Sequence, residues 1–291
     1  MRRVLSVVMP VRNAASCLGP QLAALARQSY RGPWELVVAD NGSTDGSAEE
    51  VARWRDRLPR LRLVDAAARP GAAAARNLGA AAAAGDAVAF CDADDVVTAG
   101  WLAALVRALQ AHRFVAGACD HVSLNPGATC DWHARSFETA APVTMRYLPY
   151  ASSANMAVAR AAFFQVGGFD EAFGPLGAAG EDVDLSWRLQ LAGHRLHFEP
   201  AARVLYRHRQ EPREVFRQNL AYGMADVALY KRYRAQGLRR RSLGQALRGY
   251  HGLLVRAPAL ARRGSRGVWL RDAGHRVGRL KGSVRERVLF L

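Results

Sequence analysis

Three apolar runs, each ending in a polar turn, constrain this chain more than any other feature. Residues 6–13 (SVVMPVRN), 35–47 (ELVVADNGSTDGS) and 85–95 (GDAVAFCDADD) share one plan: a short β-rich stretch that releases polar side chains at its C-terminal end. Helical patterns separate them. Leu18, Leu22 and Leu25 recur at helical spacing, Ala48 to Arg57 reads as a helix, and residues 69–86 are rich in alanine, the best helix former. Ser43, Thr44 and Ser47 are capping residues, and Glu49-Glu50 fall where a first turn favours negative charge. With a short strand at Leu61–Val64, the order is βαβαβ with short connections, which predicts a parallel sheet covered by helices. Ligands bind such sheets beyond the strand C-termini, so the polar residues after Met9, Ala39 and Cys91 are expected to open onto one edge.

The third run ends in Asp92, Asp94 and Asp95. Carboxylates this close raise one another's pKa unless paired, and a hard divalent cation offsets that repulsion while also binding phosphates. Arg69 and Arg76 fall near the start of the alanine-rich helix, where the dipole gives a cation no advantage. An anionic ligand nearby would account for them.

Charge divides the chain. Residues 1–202 hold 19 Lys and Arg against 20 Asp and Glu, whereas residues 203–291 hold 22 against 5. The first part reads as a near-neutral globular domain and the rest as a basic region attracted to an anionic surface. The cysteines Cys17, Cys91, Cys119 and Cys130 form no CxxC pair and no zinc spacing, so a reduced, cytoplasmic setting is expected. Met1-Arg2-Arg3 leads into an apolar run that Pro10 cuts short, which argues against a leader. No apolar stretch approaches the roughly 20 residues that span a bilayer.

Further along, Trp101 to Ala111 predicts a helix and Phe114 to Ala118 a strand. Residues 120–150 read as irregular, with turns at Pro126-Gly127, Pro142 and Pro149, and Trp132, His133 and Tyr147 are available to stack on a sugar or simply to pack. His121 and His133 have no metal spacing to any other motif. Phe173 to Gly180 reads as a mobile glycine-rich loop leading to Glu181, Asp182 and Asp184 at the start of a helix. Residues 194–198 turn into a strand, and a second strand ends in VLYRHRQ, residues 204–210.

In this order, PVRN, ADNGSTDGS, RPGAAAARNLG and a strand ending in CDADD resemble the family 2 glycosyltransferases, inverting enzymes of the GT-A fold that use nucleotide-diphosphate sugars. The resemblance runs from about residue 4 to about residue 210. It implies an α/β, Rossmann-like fold with a mixed, mostly parallel sheet flanked by helices. It also implies roles. Pro10, Val11 and Asn13 would line the base and ribose pocket, although Arg12 stands where the family often has tyrosine. Asp40 would accept from the imide N–H of a uracil or thymine ring. Arg69, Gly71, Arg76, Asn77, Asp92 and Ala93 would border the nucleotide sugar. Asp94 would bind Mg2+ or Mn2+, and His208 falls where several members place a histidine that completes the metal shell or touches the diphosphate. A Glu-Asp pair supplies the base in such enzymes, which puts Asp182 in that role with Glu181 or Asp184 in support. Asp95 is expected to brace its loop.

Beyond residue 212 the pattern changes to basic amphipathic helices. Phe216, Leu220, Met224 and Val227 form one face, Leu243, Leu247, Tyr250 and Leu254 another, and Trp269, Ala273, Val277 and Leu280 a third. Such helices lie on anionic membrane surfaces or cap a domain. The expected organisation is a catalytic domain over residues 1–212 and a basic helical extension over 213–291, peripheral on the inner membrane face. The expected partners are a UDP- or dTDP-type sugar donor and a sugar, lipid-linked or small-molecule acceptor. Competing readings fare worse. A nucleotidyltransferase would carry a basic glycine-rich loop after its first strand, and a dinucleotide oxidoreductase would carry GxGxxG there. A nucleic-acid binder would leave the strand-end acids unexplained.

Overall fold

The computed structural model describes residues 4–58, 60–125, 127, 132–133, 136–173, 179–240 and 242–291. The expectations placed on Met1–Arg3, on Pro126 and Cys130, and on residues 174–178 of the glycine-rich loop lie outside the described residues.

An α/β architecture is present, with an eight-stranded mixed sheet ordered β3-β2-β1-β4-β7-β6-β8-β5 among the described residues. β1 (Leu5–Val11), β2 (Trp34–Asp40), β3 (Leu61–Asp65) and β4 (Ala87–Cys91) pair in parallel. Leu5 lies beside both Trp34 and Ala87, so the polar residues that follow these strands emerge at one edge. β5 (Val96–Val97), β6 (Phe114–Asp120), β7 (Asn155–Ala159) and β8 (Leu196–Leu205) complete the sheet. β7 runs antiparallel to both β4 and β6.

Pro10 does not stop β1. The Val11 carbonyl accepts from the Asn41 N–H at 2.8 Å, so Val11 faces β2 and Pro10 faces the β4 side. The β1–β4 ladder has already ended there, at Val8 and Phe90, so the missing N–H costs no sheet hydrogen bond.

α1 (Ala15–Ala26), α3 (Ala72–Ala82) and α4 (Trp101–Ala111) cover the sheet. α3 lies low because its sheet-facing residues are alanine and glycine. A methyl group at Gly79 would overlap Val8. α2 (Ser47–Ala52) is shorter than the periodicity suggested: Trp54, Arg55 and Arg57 bond three residues back in tight turns, and Leu58 precedes a proline. The strands expected near 196 and 204 are one strand, β8, whose register against β6 shifts after Gly117.

β7 was not foreseen. Asn155, fully buried, donates to the carbonyls of Ala118 and Ala202 at 2.8 Å each and accepts from the Trp101 indole at 2.8 Å. Below it Phe90 packs edge-on to Phe169, centroids 5.1 Å apart. Burying each such ring contributes about 1.5–3 kcal/mol.

α5 (Arg160–Gln165), α6 (Glu181–Leu191), α7 (Pro212–Tyr233), α8 (Leu243–Val255) and α9 (Arg263–Glu286) follow. α7 and α9 run parallel and in close contact. Gly274, Gly278 and Gly282 face successive turns of α7 near Phe216, Leu220 and Met224. Across that seam Asp226 accepts from His275 at 2.8 Å and from Arg279 at 2.7 Å. α7 is tied back to α6 by Asp184, which is fully buried and accepts from Arg188, Arg232 and Tyr233 at 2.7–2.9 Å. No helix among the described residues is long and apolar enough to cross a membrane.

A side chain at Gly278 would collide with the Leu220 carbonyl and force the two helices apart. Gly278→Val is expected to destabilise the protein by about 1–3 kcal/mol, read as a lower denaturant midpoint, while Gly252→Val, where nothing lies within 4 Å, costs less than half as much.

Candidate active site

The site is built from loops at the strand ends. After β2, Asp40 accepts from the Ser43 N–H at 2.9 Å, and the Asn13 carbonyl oxygen accepts from the Thr44 N–H at 2.8 Å. The loops after β1 and β2 are thereby joined, with Asn13 at a φ of 50°. Val11 is buried in the core, so only its main chain is available to a ligand. Asn41, which the sequence reading passed over, holds the next loop: its amide donates to the carbonyls of Ala66 and Arg69, and its oxygen accepts from the Gly71 N–H at 2.7 Å. Gly71, at a φ of 121°, precedes α3 in a conformation that side chains disfavour.

Arg76 projects from α3 and is only 4% exposed. It pairs with Asp92 at 2.7 Å and with Glu181 at 3.2 Å, and its guanidinium lies 5.6 Å from the Phe169 ring centre. Burial works against its charge, but Asp92 and Glu181 outweigh that and hold it firmly protonated. Arg69 pairs instead with Glu171 at 2.9 Å. Asn77 is committed to the 169–171 turn: it accepts from the Phe169 N–H and donates to the Phe169 carbonyl and to Glu171. Arg69 and Asn77 thus shape the border of the cleft through that turn.

Asp92, Asp94 and Asp95 offer oxygens that all lie within 4.8 Å of one another. Burial and then the Asp92 charge raise the Asp94 pKa, and the same two causes push Asp95 well above the usual carboxylate range. Asp95 braces the loop by accepting from the Arg207 N–H at 2.8 Å, yet its other oxygen is buried with no partner. Arg207 donates from Nε to the Asp94 carbonyl, and Arg209 lies 3.8 Å from the Asp94 carboxylate. Ala93 is buried between the acids.

Glu181 and Asp182 open α6 and face the same cleft of about 730 Å3 as Arg76, Asp92 and Arg209. Burial, then the adjacent Asp182 charge, pushes Glu181 up to about 7 against the pull of Arg76. Asp182 is raised by burial, although it accepts from the N–H groups of Val183 at 2.8 Å and Ser153 at 3.4 Å. Asp184 does not support this pair. It points to the opposite side of α6, into the ion-pair network with Arg188 and Arg232.

His208 stands in a stack of three histidines. Its Nε2 is 3.0 Å from His121 Nδ1, and its ring lies 4.0 Å from that of His133 at an angle of 6°. Burial and then its two neighbours lower the His208 pKa to about 3, which keeps the imidazole neutral. His121 and His208 are 87 residues apart, so no local spacing could reveal the stack. Trp132 and Tyr147 are packing residues. Trp132 lies against Gly267 of α9, and Tyr147 packs edge-on to Trp187 with its hydroxyl on the Gln236 carbonyl.

A family model described as Glycosyl transferase family 2 matches residues 6–167, and one described as Glycosyl transferase family group 2 matches residues 87–269. The chain belongs to glycosyl transferase family 2. This family 2 chain is 35% identical over 242 residues to the pre-mycofactocin glycosyltransferase of Mycobacterium tuberculosis, covering 79% of this chain and 48% of the relative. It is 30% identical over 224 residues to the validoxylamine A glucosyltransferase of Streptomyces hygroscopicus subsp. jinggangensis, covering 65% and 52%. It therefore spans about half the length of these curated relatives. Its fold resembles that of the mannosyltransferase PcManGT from Pyrobaculum calidifontis, with a TM-score of 0.68 at 20% identity over 97% of this chain and 87% of the other. It also resembles Staphylococcus aureus TarS, with a TM-score of 0.56 at 18% identity over 98% and 92%. These structures belong to the GT-A class, as the sequence resemblance implied.

Removing Arg76 leaves Asp92 and Glu181 facing each other without a counter-ion. Arg76→Met is expected to cost about 3 kcal/mol in metal-free protein at neutral pH, read by urea unfolding. The loss shrinks in acid as Glu181 takes up a proton.

Proposed function

We propose that this family 2 chain transfers a sugar from a nucleotide-diphosphate sugar to a hydroxyl acceptor, with inversion and with the help of a divalent cation. The observation that carries the reading is the pairing of Arg76 with both Asp92 and Glu181, which brings the strand-end acids and the Glu181-Asp182 pair to one cleft. Two fold neighbours are consistent with it: PcManGT forms a complex with GDP-Man and Mn2+, and TarS one with UDP-GlcNAc.

Asp40 and the 41–47 turn receive the base, with a uracil or thymine ring matching Asp40 as acceptor. The Pro10–Asn13 segment borders the ribose, and the main chain around Gly71 borders the nucleotide. The donor set fits Mg2+ or Mn2+, since Asp92, Asp94 and Asp95 cluster in oxygens only and one buried Asp95 oxygen lacks a partner. Asp94 would hold the ion with Asp92. His208 is engaged by its neighbouring histidines, so its contribution to the ion needs one of those contacts to relax. When bound, the ion offsets charge developing on the departing diphosphate. Arg209, partly exposed beside Asp94, serves the same phosphates.

Asp182 takes the proton from the acceptor hydroxyl. As that oxygen bonds to the anomeric carbon, the bond from that carbon to the phosphate oxygen breaks and its electron pair leaves with the diphosphate. Glu181 sets the proton affinity of its neighbour and is itself steadied by Arg76.

The outer face of α8 extends this reading to an anionic membrane. Leu247 and Leu254 are 62% and 71% exposed among arginines, a combination suited to partial insertion below lipid headgroups. Leu247→Ser with Leu254→Ser is expected to lower binding to phosphatidylglycerol vesicles several-fold in a sedimentation assay, and unchanged binding removes the membrane from this proposal.

Asp94→Ala is expected to abolish the Mn2+-dependent gain in nucleotide affinity measured by calorimetry; an unchanged gain sinks the metal assignment. Asp182→Asn should keep donor binding and reduce transfer at least about a hundredfold. The base must be unprotonated, so the wild-type rate falls as pH drops and Asp182, raised above the usual carboxylate range by burial, takes up its proton. Glu181→Gln removes the neighbouring negative charge and moves that acid limb to lower pH, read from kcat between pH 5.5 and 9.

A further inference from the structure

Asp182 borders open space on two sides. One side is the cleft shared with Arg76 and Asp92. On the other, a second cavity of about 610 Å3 lies between the 119–152 segment and the C-terminal helices. This size falls within the about 300–1,000 Å3 of small-molecule sites. Its walls come from both parts of the chain: Tyr150 and Tyr206 from the catalytic portion, Tyr222 from α7, and Gln245 and Tyr250 from α8.

The chemistry of the lining is specific. The hydroxyls of Tyr150, Tyr206 and Tyr222 bond no protein group among the described residues. A phenol is neutral at physiological pH and can both donate and accept. Tyr222, 38% accessible, lines both the cavity and the cleft beside Arg76. The charged groups in the wall are largely paired with one another. Asp226 is taken by His275 and Arg279, and Asp272 lies 3.1 Å from Arg271 and 3.9 Å from Arg276. Flat rings, unsatisfied hydroxyls, side-chain amides and little unpaired charge suit a neutral ring that carries many hydroxyls, its C–H face against an aromatic plate. Such a lining does not suit a second nucleotide.

We infer that this second cavity is the acceptor site, that it takes a saccharide or glycoside, and that α7 and α8 help to select it. The inference rests on the transferase reading above and goes beyond it by making residues past 212 part of substrate recognition. Asp182 then stands in the wall common to both chambers, where one acceptor hydroxyl can reach it while the donor lies on the far side.

The test is a ligand-detected NMR titration of the full chain with the p-nitrophenyl glycosides of glucose, galactose and mannose. Wild type is expected to show saturable binding to at least one of them. Tyr222→Phe, which removes an oxygen that holds nothing in the protein, should weaken it about fivefold. Tyr250→Ala should weaken it about tenfold, and Val284→Ser, 81% exposed on α9 and outside the cavity wall, should leave it unchanged. Failure of wild type to bind any of the three, or equal affinity in wild type, Tyr222→Phe and Tyr250→Ala, overturns the inference. Mn2+-dependent nucleotide binding is read in the same samples. If it persists while glycoside binding fails, this inference alone falls; if it is missing, the transferase reading falls on its own account.

Discussion

One guanidinium holds the mouth of the cleft together. Five carboxylates, Asp92, Asp94, Asp95, Glu181 and Asp182, converge there from two distant stretches of chain. Arg76 is buried between two of them and bridges the stretches. Its position follows from the helix that carries it. Alanines and Gly79 let α3 approach the sheet closely, which sets Arg76 low enough to meet Asp92 at the end of β4. Asn77, the next residue, fastens the turn that supports the Phe169 ring beside the same guanidinium. A larger residue at Gly79 would lift the helix and part both contacts.

That single pairing leaves the rest of the cluster short of positive charge, and the shortage is informative. Burial raises Asp94, Asp95, Glu181 and Asp182, and repulsion from a neighbouring carboxylate adds to it at the first three. A folded protein that only needed stability would replace such groups, since each raised carboxyl weakens the fold as pH climbs past its unfolded value. Sites that bind cations and move protons need this arrangement. The two halves of the cluster differ in their neighbours: Arg207 and Arg209 lie beside Asp94 and Asp95, and Arg76 reaches Glu181.

Much of this was legible in the sequence where the signal was local. The strand-end acids, the alanine helix and the order of motifs fixed the parallel half of the sheet, and Glu181-Asp182 stood out by its place at a helix start. What escaped was built from contacts between remote residues. β7 carries no turn signature at its start, and its defining residue, Asn155, matters only through carbonyls on β6 and β8. The histidine stack joins positions far apart in the chain. Asp184 was a candidate to support Asp182; two residues of helix turned it to the opposite face, where α7 claims it. Periodicity also identified the apolar faces of the last three helices without revealing what they face. Ala273 turned out to be buried, and Leu247 and Leu254 exposed.

The parallel seating of α7 against α9 has a consequence in time. Two parallel neighbours cannot be joined by a tight hairpin, so α8 and its flanking turns must carry the chain back before α9 can dock. Asp226 waits for His275 and Arg279 some fifty positions later. During synthesis the sheet and the strand-end acids can form while these partners are still unmade. A nascent chain would then pass through a stage in which the sheet and the strand-end acids are in place and the opposite wall of Asp182 is still open to water. The last helix to arrive is the one that ends that exposure.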